Sequence, residues 1–225
     1  DSLIYKVIDE ISEELNIPKS KVKHSVWYFF SWQREAFNSL KSELTDEIIN
    51  TMVNLLELHD IYTTTHSHNV ANLSRNLAKT LNLSRELITI VYYTALVHDI
   101  GKIRVPSEIL NKPTQLNEAE YNVIQKHPEW GAKALNTSKK LSEIARYVLH
   151  HHERYDGLGY PKNIKGEDIP LVSRILTICD AYDAMTNDRP YRKAYTKAYA
   201  IKEIKSCAGT QFDPDLVEVF IKEIA

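Results

Sequence analysis

Residues 70–81 read VANLSRNLAKTL, and the apolar side chains in this stretch recur at the spacing of an α-helix. The residues that share the predicted apolar face are Val70, Leu73, Leu77 and Leu81. A strand would alternate apolar and polar positions, whereas this pattern returns every three or four residues. The same spacing recurs near the end of the chain at Leu216, Val219 and Phe220, and glycine is scarce, with 6 residues in 225. The sequence therefore predicts an all-α fold.

Start and stop signals for individual helices support this prediction. Ser84 is a typical N-cap for a helix that runs from about Arg85 to Asp99. Asp213 and Pro214 are suited to cap and open the last helix, because proline is favoured at the first helical position.

The first 43 residues differ in character from the rest of the chain. They carry lysines and an aromatic run between Trp27 and Trp32, without clustered catalytic residue types. We interpret residues 1–43 as an N-terminal helical extension, the end of an upstream sensor or linker region, and residues 44–225 as one domain. Because the first residue is Asp1 rather than Met, we expect the chain to be a piece of a longer protein.

The charge, the apolar content and the cysteines of the chain limit its binding partners and its cellular location. The formal net charge is -2, so the surface does not favour a nucleic acid polymer, and any phosphate recognition must be local. No stretch is apolar for the roughly 18 residues that a membrane span requires. Cys179 and Cys207 lie far apart and outside any metal-finger spacing, which is typical of buried thiols in a reducing cytosol. We therefore expect a cytoplasmic location.

The longest irregular segment predicted by the sequence runs from about Arg154 to Ile169, and we call it the 154–169 loop. It carries Gly157, Gly159, Pro161 and Gly166. A glycine-rich loop inside a helical protein usually forms the rim of a binding site, because the backbone bends there where a helix cannot.

Several of the 9 histidines stand beside carboxylates or beside one another. They are His66 near His68, the pair His98-Asp99, His127, and the run His150-His151-His152-Glu153. Imidazole with carboxylate suits Fe, Mn, Ni or Zn, whereas Ca and Mg prefer oxygen ligands. Neighbours on a helix point about 100° apart, so His98 and Asp99 are hard to place on one ion in the same way. Two ions about 3.5–4 Å apart, bridged by the aspartate, remove this difficulty and suit hydrolytic phosphoryl transfer.

Two motifs carry a family resemblance: HDIGK at residues 98–102 and HHERYDGLGYP at residues 151–161. Together they closely resemble the signature of the HD-GYP family, a subclass of HD-superfamily phosphohydrolases that act on cyclic di-GMP. The likeness continues through DAYDAMT at 180–186, DRPYR at 188–192 and GTQFDP at 209–214. It implies that residues 44–225 form an HD-GYP phosphodiesterase domain, a helical bundle with an irregular glycine-rich loop.

The resemblance implies a site with two metal ions. The implied ligands of the first ion are His66, His98, Asp99 and Asp180, and those of the second are His127, His151 and His152, with Asp99 bridging. The residues alone leave open whether His150 or His152 pairs with His151, and the resemblance selects His152. Fe or Mn is favoured, and Zn or Ni is compatible. Some relatives bear a glutamate that helps to hold a third ion where this chain has Tyr62, so we expect a dinuclear site.

The resemblance also assigns side chains to catalysis and to the substrate. Lys102 resembles the family lysine that contacts the scissile phosphate, so Asp99 and Lys102 are the predicted catalytic residues. The positions matched to the surroundings of the dinucleotide are Tyr160, Arg189 and Arg192. Asp183 is predicted either to support a metal ligand or to contact the substrate.

The implied activity is metal-dependent hydrolysis of cyclic di-GMP to linear pGpG, in which a hydroxide that bridges the ions attacks phosphorus. Hydrolysis onward to GMP is a second step that we expect to be slow with two ions. Three alternatives remain: another cyclic dinucleotide such as mixed cyclic GMP-AMP, a non-catalytic module that binds a dinucleotide or a partner protein, and a general HD nucleotidase or phosphatase. Degenerate members normally lose ligands, and this chain keeps them, which favours the enzyme. A homodimer is compatible with the sequence.

Overall fold

The computed structural model describes residues 8–9, 12–13, 16, 18–24, 45–56, 59, 63–139, 141–188 and 193–224. The chain divides into two compact units, residues 1–48 and residues 49–225. In the first unit, residues 19–24 are helical. The domain boundary placed between residues 43 and 44 stays a prediction.

Residues 45–56 are helical. The α-helices that follow in the described residues are α1 (Thr63–Thr80), α2 (Arg85–Val97), α3 (Ser107–Leu110), α4 (Glu118–Ile124), α5 (His127–Leu135), α6 (Ser142–Leu149), α7 (Leu171–Thr186), α8 (Lys197–Ser206) and α9 (Pro214–Ile224). Short 3-10 helices lie at Ile100–Arg104 and Gly166–Asp168. The described residues contain no β-strand, and the prediction of an all-α fold is confirmed.

The apolar face predicted in α1 lies in the core. Val70 and Leu77 are fully buried, and Leu73 and Leu81 pack against the same core. α1 packs along α2 and α7, while α5 packs along α6 and the first 3-10 helix. These contacts bring the chain segments that carry the histidine motifs into one layer of the bundle.

The predicted caps are present, but α2 is shorter than predicted. The side chain of Ser84 accepts a hydrogen bond from the backbone of Leu87, and Asp213 accepts one from Leu216 at the start of α9. α2 ends at Val97 rather than near Asp99, because the chain tightens there into a 3-10 helix. Within the described ranges, no helix has the length and apolar character needed to cross a membrane.

Candidate metal centre

Seven histidine and aspartate side chains meet in two adjoining groups. The His66 cluster consists of His66, His98 and Asp180. The His127 cluster consists of Asp99, His127, His151 and His152. Within each cluster the candidate ligand atoms all lie within 4.8 Å of one another. The structure thus brings together all seven residues predicted to bind metal, and it groups Asp99, the predicted bridge, with the His127 cluster.

Helix ends determine which ring nitrogen faces the His127 cluster. The last carbonyls of a helix have no partner within the helix, and histidine side chains supply one here. His127 Nδ1 lies 2.8 Å from Ile124 O at the end of α4, and His151 Nδ1 lies 2.6 Å from Val148 O in the last turn of α6. A carbonyl can only accept, so both Nδ1 atoms carry hydrogen. In the neutral rings Nε2 then keeps its lone pair, which is the arrangement that a metal ligand requires.

The facing nitrogens of the His127 cluster fit a cation. His127 Nε2 and His151 Nε2 lie 3.2 Å apart. Burial lowers the pKa of His151 well below its ordinary value, and it lowers that of His152 to about 3, with nearby imidazoles adding to both shifts. Nitrogen lone pairs that face one another at this distance repel, and a cation bound between them removes that repulsion. This donor set therefore fits a divalent transition-metal ion.

The same carbonyl arrangement recurs at His98, where Nδ1 lies 2.7 Å from Ala95 O in the last turn of α2. Asp99 is the next residue, and its two oxygens face different clusters. Asp99 Oδ2 lies 3.3 Å from His98 Nε2, while Asp99 Oδ1 lies 3.3 Å from His127 Nε2. Burial alone would raise the pKa of the Asp99 carboxyl, but neighbouring His98 and Lys102 hold it well below its usual range. The carboxylate is therefore charged and placed between the clusters.

Close packing of the first 3-10 helix on α5 requires glycine at position 101. A Cβ added to Gly101 would lie 2.0 Å from His127 O and 2.6 Å from Gly131 N. Both atoms belong to the backbone and cannot move aside as a flexible side chain would. The glycine of the HDIGK motif thus allows α5 to approach closely enough for His127 to reach Asp99.

Asp183 lies behind His66. Its Oδ2 accepts a hydrogen bond of 2.7 Å from His66 Nδ1, and its Oδ1 accepts one of 2.7 Å from the Asn187 side chain. Asp183 is buried, and it is not among the residues that line the cavity described below. This placement favours the supporting role among the two that the sequence left open, because a carboxylate on Nδ1 orients a histidine that binds through Nε2.

Metal uptake at the His66 cluster should release a proton. In the metal-free protein, burial lowers the pKa of His66, but hydrogen bonds to Asp180 and Asp183 outweigh burial and raise it to about 9. Below that pH the ring holds a proton that a metal must displace from Nε2, so affinity should rise about tenfold per pH unit and level off above the pKa. Calorimetric titration of chelator-treated protein with Mn²⁺, in buffers of different ionisation enthalpy, measures the proton count.

His66→Gln is the control, because it should remove the proton-linked step and leave binding at the His127 cluster. Proton release that is the same on both sides of pH 9 would contradict the assignment of His66 as a protonated ligand residue.

A cavity of about 360 Å³ opens over the two clusters. The residues that line it are His66, Asp99, Lys102, Ile124, His127, His152, Tyr160, Asp180, Ala184, Met185 and Tyr195. Lys102 Nζ donates to Asp99 Oδ2 at 2.6 Å, and the side chain of Lys102 keeps 17% exposure. The ring of Tyr160 stacks on His152 with centroids 4.9 Å apart. Lysine and tyrosine thus add two donors beside the clusters, in a cavity of a size usual for small-molecule sites.

The 154–169 loop, confirmed as irregular apart from its short 3-10 helix, folds back onto the ligand pair. The backbone of Tyr160 donates to His152 O at 3.1 Å, and the backbone of Lys162 donates to Glu153 Oε1 at 2.6 Å. A Cβ on Gly159 would lie 2.3 Å from Arg154 N, so only glycine fits there. These hydrogen bonds to His152 and Glu153 hold the loop in place, and Tyr160 thereby lies at the cavity.

The GTQFDP motif holds this loop from the other side. The backbone amides of Tyr155 and Asp156 donate to Gln211 O and Thr210 O at 3.2 and 2.8 Å. Arg174 donates to the carbonyl of Ile169, at the end of the loop, and forms an ion pair with Asp213. The chain just before α9 is thereby tied to both ends of the loop.

Asp213→Ala should lower the free energy of unfolding by about 2–3 kcal/mol, because it removes both the α9 cap and the charged partner of Arg174. Urea unfolding measures the change. Asp213→Asn keeps an oxygen for the cap and should lose less. Equal losses in the two variants would contradict the role assigned to the α9 cap, and no loss in Asp213→Asn would contradict the role assigned to the ion pair.

Several predicted residues lie elsewhere. Arg189, Arg192 and Tyr62 fall outside the described residues, so their roles stay predictions. His68 is exposed, and His150 lies outside both clusters with Nδ1 3.7 Å from Glu153 Oε1. Neither Glu153, which supports the loop, nor Tyr195, which lines the cavity, was predicted from the sequence to have a role. The spacing of Tyr195 and Tyr199, four residues apart, was the available signal for a paired aromatic surface.

Comparison with known proteins places the chain in a family. The HD domain family model matches residues 50–216. The cyclic di-GMP phosphodiesterase PA4108 of Pseudomonas aeruginosa is 40% identical over 193 residues, which cover 81% of this chain and 46% of that protein. The 3'3'-cGAMP-specific phosphodiesterase 1 of Vibrio cholerae is 44% identical over 141 residues, which cover 63% of this chain and 33% of that protein. This chain belongs to the HD domain family and, within it, to the HD-GYP group.

A solved structure shares the fold. The crystal structure of the cyclic GMP-AMP-specific phosphodiesterase V-cGAP3 of Vibrio cholerae matches with a TM-score of 0.60 at 20% identity, covering 79% of this chain and 48% of that one. At this identity the likeness concerns the fold alone. The chain spans less than half the length of either curated relative, at 46% and 33%.

Proposed function

We propose that this chain is a metal-dependent phosphodiesterase that hydrolyses cyclic di-GMP to linear pGpG. The observation that carries the proposal is the pair of buried histidine–aspartate clusters on the floor of a cavity, with Asp99 facing both. The names of the relatives, which act on cyclic di-GMP and on 3'3'-cGAMP, support the substrate class. A cyclic dinucleotide offers two phosphodiesters, which are the groups that such a centre attracts.

The ligand assignment follows the two clusters. His66, His98 and Asp180 would hold one ion, and His127, His151 and His152 would hold the other, with Asp99 shared. Two divalent ions supply positive charge that polarises a phosphoryl group and lowers the pKa of water toward neutrality. Fe and Mn are our first candidates, since both accept imidazole with carboxylate.

Lys102 would act on the phosphate. Its ammonium lies 2.6 Å from Asp99 and borders the same cavity, so a phosphoryl oxygen bound beside Asp99 comes within its reach. Charge grows on the phosphoryl oxygens as the bond to the 3′ oxygen breaks, and a fixed cation stabilises that charge. Lys102 therefore contributes more to the transition state than to binding.

Tyr160 would act as a neutral donor. Burial raises the pKa of its hydroxyl well above the ordinary value, with the nearby charges of Asp99 and Asp180 adding to the shift. The protonated hydroxyl can donate to a phosphate or sugar oxygen, and stacking on His152 fixes the ring. Arg189 and Arg192 are proposed to bind the non-scissile phosphate by the family resemblance alone.

Turnover of a substrate panel tests the proposal. Protein purified without oxygen is incubated with cyclic di-GMP, mixed cyclic GMP-AMP, pGpG and a nucleoside monophosphate, and products are separated by chromatography. We expect pGpG from cyclic di-GMP, with slow conversion of pGpG to GMP. Binding of cyclic di-GMP without turnover in metal-loaded protein would instead identify a non-catalytic module, and preferential attack on the monophosphate would identify a phosphatase.

A further inference from the structure

Two tyrosines form a tilted ring pair, one of them lines the cavity, and neither belongs to the two metal clusters. The rings of Tyr195 and Tyr199 have centroids 4.4 Å apart with an interplanar angle of 37°. Tyr195 lines the cavity that opens over both clusters. Tyr195 and Tyr199 are 42% and 45% exposed, so part of their surface is open to a ligand.

Backbone hydrogen bonds hold the pair in place. The amide of Tyr195 donates to Met185 O at 2.9 Å, in the last turn of α7. Thr196 caps α8, and its hydroxyl oxygen accepts from the amide of Tyr199 at 3.2 Å. The chain on both sides of Tyr195 is thus fixed to a helix end, so the pair is organised before any ligand arrives.

The side chains that line the cavity near Tyr195 differ in charge from those that line it near the two clusters. Near the clusters the lining consists of histidines, aspartates and Lys102, which suit metal ions and phosphate. Beside Tyr195 the cavity is lined by Ala184 and Met185, which offer no charge to a phosphate. An exposed aromatic surface next to apolar side chains suits the π-face of a nucleobase, the largest apolar surface of a nucleotide.

We propose that the Tyr195–Tyr199 pair is the platform on which one purine base of the bound dinucleotide stacks. The proposal rests on the proposed function, because it names a base subsite for that substrate. Stacking accepts the face of any base, so the platform contributes affinity for guanine and adenine alike and leaves the choice between them to other contacts.

Affinity and turnover measured in parallel test the platform. The variants are Tyr195→Ala, Tyr195→Leu, which keeps apolar bulk, and Tyr195→Phe, which keeps the ring. Each is assayed for binding of a phosphorothioate analogue of cyclic di-GMP, for turnover of cyclic di-GMP, and for the amount of Mn²⁺ bound per chain. Loss of one stacked base should weaken binding of the analogue about tenfold, within a range of roughly 5- to 150-fold, in the Ala and Leu variants. The Phe variant should bind the analogue normally, and all three variants should bind as much Mn²⁺ as the unmodified chain.

Unchanged affinity in Tyr195→Ala would overturn the platform, and so would a loss of bound Mn²⁺ in that variant, which would mark a structural role. Failure of the proposed function has a different signature: the unmodified chain would bind the analogue without hydrolysing cyclic di-GMP. In either case, the affinities of the Ala and Phe variants for the analogue, compared with each other, test the platform.

Discussion

Asp99→Ala should abolish hydrolysis of cyclic di-GMP and lower the metal content at both clusters. The two oxygens of Asp99 face His98 on one side and His127 on the other, so one substitution removes a ligand from each cluster. It also removes a buried negative charge that offsets the charge of the ions. Losing a single charge-stabilising donor already costs roughly 10²–10³ in rate, so activity should fall by more than about a thousandfold. Metal analysis and turnover of the same preparation measure both effects.

Asp180→Ala is the matched comparison for this prediction. Asp180 belongs to the His66 cluster and pairs with His66 Nε2 at 3.1 Å. Its loss should therefore deplete one ion and leave the His127 cluster occupied. If Asp99→Ala keeps two metals, or if the two variants lose metal identically, Asp99 does not bridge.

Lys102→Ala should slow turnover by about 10²–10³-fold while leaving the metal content intact, because the lost charge acts on the phosphoryl oxygens in the transition state. Its removal also takes a cation away from Asp99, and the loss of this competing positive charge should not weaken metal binding. The Michaelis constant should change less than the maximal rate. Steady-state kinetics with metal analysis separate these quantities.

Arg104→Ala controls for the loss of positive charge on the same 3-10 helix. Arg104 is exposed, and its guanidinium lies 4.8 Å from the centroid of the Trp130 ring, outside the residues that line the cavity. This variant should turn over substrate normally. Loss of metal in Lys102→Ala would argue that the lysine supports the ligands instead of the phosphate.

The helical fold was predictable because its signals are local. The apolar spacing of residues 70–81 determines which face of α1 is buried, and Ser84 marks the start of α2 by a hydrogen bond three residues away. The end of α2 was predicted two residues too late. The apolar pattern continues through Ile100, and it does not distinguish an α-helix from the tighter 3-10 turn that places Asp99 between the clusters.

The candidate ligands were predictable to the extent that motifs carry them. His98 with Asp99, His151 with His152, and Asp180 stand in short motifs, whereas His66 and His127 lie outside them and were identified as ligands by family resemblance alone. The hydrogen bonds that orient the candidate ligands were harder to predict from the sequence. Backbone carbonyls orient His98, His127 and His151, and any residue type supplies a carbonyl.

The supports of the 154–169 loop depend on tertiary packing. Arg174 and Asp213 are 39 residues apart, and their ion pair follows from how α7 and α9 meet. The placement of Tyr195 at the cavity likewise depends on a tertiary contact, the hydrogen bond from its amide to Met185 O in α7. Sequence spacing could predict its contact with Tyr199, but not what the pair faces.

Reconstitution of the metal-depleted chain tests the central claim most directly. Chelator-treated protein is titrated with Mn²⁺ or Fe²⁺ without oxygen, and bound metal and cyclic di-GMP hydrolysis are measured at each addition. We expect binding to saturate at two ions per chain, with pGpG formation following the second ion, because we propose that each cluster holds one ion and that both ions act on the same phosphodiester. Full activity without added metal, or two bound ions with no hydrolysis of any cyclic dinucleotide, would contradict a dinuclear phosphodiesterase.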